Sequence, residues 1–286
     1  MEAGESSRDA VLDGVAARSA SQIGSENFPV ALRVLPKRAR EQLARVYSYA
    51  RFVDDVGDEA PGDRLRLLDL VEQDVRLLDD GRPRLAAVAG LRPLIDECAV
   101  PLQPFLDLIE ANRVDQRRSS YETFEDLLDY CRLSAAPVGR IVLHIAGAAA
   151  PANVAGSDEV CAALQVLEHC QDVGEDARAG RVYLPAVDLR TAGVDRDELL
   201  AATTGPRLRG VVADQVARAD DLLRAGPALA CRLSGWARLA VAGYVAGGQA
   251  TSAALRRARF DVLGQEIRPS GVSTAARAVR VAARWW

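Results

Sequence analysis

An all-α fold is expected on three grounds. Apolar residues recur at helical spacing along most of the chain's 286 residues. Strand formers are scarce: aromatic residues make up 5%, β-branched alternation is rare, and Ala, Leu and Arg dominate. Breakers fall between the periodic segments at Pro61-Gly62, Asp80-Gly81, Pro101, Pro151 and Gly205-Pro206.

The elements follow in order. Residues 1–22 are small and polar and are expected to form a flexible tail. A first helix is predicted over about 37–57, where REQLARVYSYARF supplies an apolar face. Pro61-Gly62 closes it. Helices over 63–80 and 84–99 follow, parted at Asp80-Gly81. Pro101 precedes a helix over 102–115, and two more cover 122–134 and 137–147. Pro151 separates these from a long helix over 157–178 and a short one over 196–201. Gly205-Pro206 then opens 207–225, 227–247 and 249–264. The helices form a single domain over 23–265, followed by a C-terminal tail, 266–286.

Composition excludes several classes. Charged residues are 27% and the net charge is −4, which gives no basic footprint for nucleic acid. All of the 36 basic residues except Lys37 are arginines. The five cysteines are widely spaced with no CxxC, which argues against a disulfide framework or a zinc site. The N-terminus lacks a basic and apolar leader, and no apolar run approaches the roughly 20 residues of a membrane span. A cytoplasmic protein is the expectation. No Rossmann glycine fingerprint or P-loop is present.

Two acidic stretches carry the chemistry. RFVDDVGDE at 51–59 crowds Asp54, Asp55, Asp58 and Glu59 onto the end of the first helix. Like charges four residues apart destabilise an isolated helix by a few tenths of a kcal/mol, and Gly57 adds roughly 1 kcal/mol. EHCQDVGEDARAGR at 168–181 repeats the pattern, with Asp172 and Asp176 echoing Asp54 and Asp58. Spacing i,i+4 puts each pair on one helix face. Tyr47, Arg51, Asp54 and Asp58 form one polar stripe, and Gln165, Glu168, Asp172 and Asp176 form another. Stripes of this kind on otherwise apolar helices predict a wet cavity holding a hard divalent cation. Mg²⁺, which takes a few carboxylates, retained waters and phosphate oxygens, fits best. His169 and His144 are expected to be packing residues.

These motifs resemble the squalene/phytoene synthase family, the head-to-head isoprenyl diphosphate synthases. SENF at 25–28 is similar to the family's flap, and VYSYARFVDDVGDE at 46–59 to its first aspartate-rich motif. LIEANRVD at 108–115 resembles a cavity-facing helix bearing Asp115. YETFEDLLDYCRLSAAPVG at 121–139 resembles the helix with an essential Tyr, here Tyr130. QVLEHCQDVGEDARAGRVYLP at 165–185 resembles the second aspartate-rich motif. The resemblance spans about residues 22–265. It implies an isoprenoid-synthase helical bundle with a central cavity.

It further implies that Asp54, Asp58, Asp172 and Asp176 hold Mg²⁺, with Asp55 and Glu168 as further ligands. Arg51 and Arg181 would bind phosphate oxygens, and Tyr47 and Tyr183 would line that end. Asn27, Phe28, Asp115, Gln165 and Gln171 would contact substrate. Tyr130 would act on the reacting carbocation, within an aromatic wall for which Phe28, Phe52 and Phe105 are candidates.

Four positions depart from the common pattern: Asn27 in the flap, Pro137 before Val138-Gly139, Glu168 in place of Asn, and Gln171 in place of Arg. ENFPV, Gln171-Asp172 and GRVYLP together resemble the branch of hopanoid-pathway hydroxysqualene synthases. That branch implies presqualene diphosphate as substrate, ionisation, cation rearrangement and capture by water. It also implies functional partnership with a presqualene diphosphate synthase and a flavin-dependent hydroxysqualene reductase. Squalene synthesis from two farnesyl diphosphates, phytoene synthesis and a catalytically silent helical scaffold are the alternatives. ARAVRVAARWW at 276–286 suits either peripheral contact with the inner face of a membrane or a tail docked on the bundle.

Overall fold

The computed structural model describes residues 11–12, 14–16 and 35–268, and the described chain is helical with no strand. It packs as two compact units. The first takes the described residues up to Arg117, together with 140–149. The second takes 118–139 and the described residues from Ala150 onward.

In the first unit, α1 (Lys37–Asp58), α2 (Arg64–Arg76) and α5 (Gln103–Arg117) pack on one another, with the short α3 (Ala86–Ala89) and α4 (Arg92–Cys98) between α2 and α5 in sequence. Val46, Tyr49, Phe52, Val53 and Val56 of α1 meet Leu68, Val71 and Val75 of α2, and Phe105 and Ile109 of α5. Asp63 caps α2 by accepting from the Arg66 amide at 3.0 Å. The buried Asp74 carboxylate accepts from the amides of Arg84 and Leu85 and fixes the entry to α3. Part of the segment expected to be a tail is helical, and Leu12 and Val15 are buried in this core.

The second unit is arranged about α8 (Pro151–Gln171), which packs against α6 (Phe124–Ser134), α11 (Pro206–Leu223), α12 (Ala225–Arg232) and α13 (Gly235–Arg257). Thr123 and Asp126 form a reciprocal capping box at the start of α6. After α8 come α9 (Val173–Arg178), α10 (Ala186–Ala192) and a 3₁₀ turn over Arg196–Leu200. The linking helix α7 (Ala136–Ile145) begins in the second unit and ends in the first.

Most predicted helices stand, and four boundaries differ. The 84–99 segment splits at Gly90. The long helix begins at Pro151, where proline suits a first helical position, and it breaks at Asp172. The short α10 was not expected. The last two helices part at Leu233–Ser234 rather than at Gly248. Gly243, Gly247 and Gly248 lie inside α13, because its contacts with α8, α11 and α12 outweigh the weak helix propensity of glycine.

No helix among the described residues is long and apolar enough to cross a membrane. Asn27, Phe28 and the 276–286 tail lie outside the described residues.

Candidate functional site

The first acidic stretch ends α1. Asp54 and Asp58 are open to solvent, while Val53, Asp55, Val56 and Gly57 are buried. The predicted stripe is therefore real, with Tyr47 and Arg51 half-buried along it. Asp54 accepts a hydrogen bond from Asn112 Nδ2 at 3.0 Å. The protein ringing its carboxyl raises its pKa to about 6. The charges of Asp58 and Asp55 push the same way, while Asn112 and Arg51 oppose them. Asp55 is turned into the protein and ion-paired with Arg51, Nε to Oδ1 at 2.9 Å. Asp115 is half-buried on α5, one turn beyond Asn112.

Gly57 has a tertiary reason. A Cβ there would come within 2.1 Å of Asn112 Oδ1. The glycine admits the Asn112 amide that reaches Asp54, and Gln116 Nε2 donates to the Gly57 carbonyl at 2.9 Å. It lies in the last turn of a continuous helix, so the contact with Asn112 offsets the cost of a helical glycine.

The second stretch lies at the α8–α9 junction. Asp172 closes α8 and opens α9, yet its carbonyl still accepts from the Asp176 amide at 2.8 Å. The i,i+4 relation thus survives the break in the helix. Burial raises Asp172 to about 6, reinforced by the charges of Glu168, Asp176 and Glu175. Burial also raises Glu168, which remains open to solvent.

Around this junction stands a ring cluster. Backbone hydrogen bonds from Val182 to Ser119 and from Ala186 to Tyr121 tie the start of the 121–139 motif to the GRVYLP segment. Tyr121, Tyr130 and Tyr183 consequently meet with ring centroids 5.3–5.7 Å apart. His169 stacks on Tyr183 at 3.7 Å. His169, Asp176, Arg181 and Tyr183 line one recess with Val173 and Leu199. The Arg181 amide bonds to the Asp176 carbonyl at 2.8 Å through the turn at Gly180, whose φ is 85°.

Sequence reasoning missed Asn112, Tyr121 and the part His169 plays. Asn112 had a signal, being an amide inside the ANRVD segment of an otherwise apolar helix face. His169 is buried, as packing requires, but it packs on a site tyrosine and beside a site carboxylate. Phe52 and Phe105 are fully buried in the core of the first unit, and Phe105 lies edge-on to Tyr49 at 5.4 Å, which makes them packing residues rather than site-wall residues. The Gln171 amide donates to the Ile267 carbonyl, so it holds the chain's later segment. Gln165 lies one turn before His169, with its amide nitrogen 3.2 Å from the ring.

All the carboxylate donors are hard oxygens, and two are held as reluctant anions near pKa 6. A divalent cation relieves that condition. Among the described residues no three His, Cys, Asp or Glu side chains form a ready metal cage. Within each unit the carboxylates are hard oxygen donors, of the chemistry that suits an ion that keeps waters and takes further ligands from a phosphate-bearing substrate.

Comparison with known proteins agrees with the motifs. Residues 22–274 match the family model described as squalene/phytoene synthase. A hydroxysqualene synthase of Sinorhizobium fredii is 38% identical over 223 residues, covering 77% of this chain and 75% of the relative. One from Rhodopseudomonas palustris is 36% identical over 220 residues, covering 76% and 74%. The crystal structure of squalene synthase HpnC from Alicyclobacillus acidocaldarius has a TM-score of 0.80 at 39% identity, covering 87% of this chain and 95% of that one.

Proposed function

The chain belongs to the squalene/phytoene synthase family of head-to-head isoprenoid synthases, and from that premise we propose that it converts presqualene diphosphate to hydroxysqualene. The observation that carries the proposal is the pair of Asp-x-x-x-Asp faces with carboxyls raised to about 6, in a chain whose relatives above are hydroxysqualene synthases. That kinship also favours an enzyme over a silent scaffold.

In the proposed reaction the carbon–oxygen bond to diphosphate breaks and the bonding pair leaves with diphosphate. The cyclopropylcarbinyl cation rearranges. A water oxygen then bonds to it, and the surplus proton passes to solvent. Asp54, Asp58, Glu168, Asp172 and Asp176 would hold Mg²⁺, which supplies positive charge to the leaving group when bound. Arg51 and Arg181 add fixed positive charge to the phosphate oxygens. Asp55 holds Arg51 through their ion pair rather than ligating metal. Tyr47 and Asp115 border the first stretch. Tyr130, clustered with Tyr121 and Tyr183, offers π-faces to a carbocation and limits stray water. Gln171 acts by anchoring the segment at Ile267.

A presqualene diphosphate synthase would supply the substrate, and a flavin-dependent reductase would consume the product. The test is product analysis by mass spectrometry with Mg²⁺ and no NADPH. The expected result is a C30 alcohol from presqualene diphosphate. Accumulation of presqualene diphosphate from farnesyl diphosphate, or of phytoene from geranylgeranyl diphosphate, would overturn the assignment.

A further inference from the structure

His169 is 8% exposed and lines the recess of the second unit beside Asp176. Three neighbours define its ring. Its face stacks on Tyr183 with an interplanar angle of 10°. Its Nε2 lies 3.2 Å from Gln165 Nε2, one helical turn earlier on α8. With the Gln165 amide in this orientation its nitrogen donates, so Nε2 accepts and a neutral ring carries its proton on Nδ1. Nδ1 in turn lies 3.8 Å from Asp176 Oδ2. That is an ion-pairing rather than a hydrogen-bonding distance, and a direct hydrogen bond requires the Asp176 carboxylate to turn toward the ring. Because the stack and the Gln165 amide fix the ring from two directions, Asp176 is the partner left to adjust.

We propose that His169 is a positioning residue for Asp176. Gln165 selects its tautomer, Tyr183 fixes its plane, and the Nδ1–H orients the Asp176 carboxylate toward the divalent cation. This rests on the metal-binding reading given above. Outer partners of this kind govern how well a carboxylate holds a metal, and losing one typically costs 10–100-fold in affinity.

The experiment titrates Mg²⁺ into the full chain with inorganic diphosphate as probe and follows thermal unfolding. His169→Phe keeps a stacked ring but removes both nitrogens. His169→Asn keeps a donor near the Nδ1 position and gives up the stack. The expected result is that His169→Phe needs about tenfold more Mg²⁺ than wild type for half of the stabilisation. His169→Asn should recover much of that loss. In turnover assays the Mg²⁺ requirement should rise while KM at saturating Mg²⁺ stays unchanged.

A wild-type Mg²⁺ requirement in His169→Phe overturns the proposal. Should that variant not fold, Gln165→Leu decides: a few-fold rise in required Mg²⁺ supports the proposal, and no change overturns it. Wild-type protein with no Mg²⁺-dependent stabilisation overturns the metal-binding reading itself and this proposal with it, so the two failures are told apart.

Discussion

DDVGD at 54–58 and DVGED at 172–176 share a pattern and little of their surroundings. The first stretch ends an unbroken helix, and the second straddles a junction between two. An asparagine from α5 serves the first, while a histidine stacked on a tyrosine borders the second. The glycines sit at different places, fourth in the first stretch and third in the second, and they work differently. Gly57 makes room for a polar amide, whereas a Cβ at Gly174 would meet the tip of Leu263 at 2.9 Å. A motif of this kind specifies the carboxylates, and each environment supports them by its own means.

The largest expected effect tests whether the stretches are equivalent in function. On the proposed function, Asp54→Asn and Asp172→Asn should each lower kcat at least about a hundredfold, since both would remove charge that steadies the cations at the leaving group. A near-normal rate in either one would break the equivalence.

The glycines sharpen the contrast. Gly57→Ala should cost about 1–3 kcal/mol in denaturant unfolding, because its Cβ overlaps an amide held by hydrogen bonds to Asp54 and to the Leu108 carbonyl. Gly174→Ala should cost less than about 1.5 kcal/mol, because a leucine tip can shift. Equal costs would remove the distinction.

The raised carboxyls add a stability test on metal-free protein. Asp54 stands near 6 in the fold against the ordinary aspartate value of 3.8. Its folded form therefore binds the proton more tightly. Below about pH 4 this favours the fold fully, and the contribution is lost as pH rises through 6. At pH 7 Asp54→Asn should stabilise metal-free protein by about 1 kcal/mol after solvent screening. That gain should shrink as pH falls through 6, as thermal unfolding at several pH values would show. The same substitution should thus help the fold while sharply lowering turnover.

The smallest effect belongs to Asn112. Its hydrogen bond lowers the pKa of Asp54. Asn112→Ala should move the acid limb of the rate profile upward by a fraction of a pH unit. An unmoved limb would mean that Asn112 serves packing alone.

Much of the candidate site was legible because its signals are local. Paired aspartates four residues apart share a helix face whatever surrounds them, and the stripe from Tyr47 to Asp58 needed only the helical period. The missed features depend on partners distant in sequence. Asn112 reaches Asp54 across 58 positions. Tyr121 joins Tyr183 only because backbone bonds bring 119–122 beside 182–187. The break at Asp172 was hidden by an apolar period that runs through it.

The helical class, most helix boundaries and the identity of the carboxylate faces were readable from the amino-acid order alone. Helical spacing and like-charge clustering are read along one turn, and no distant residue alters them. Why Gly57 is glycine, that Asp55 pairs with Arg51, and that His169 stands between a tyrosine and an aspartate became visible only in the fold. Each of these is a contact set by packing and desolvation, and local periodicity carries no record of which neighbour arrives.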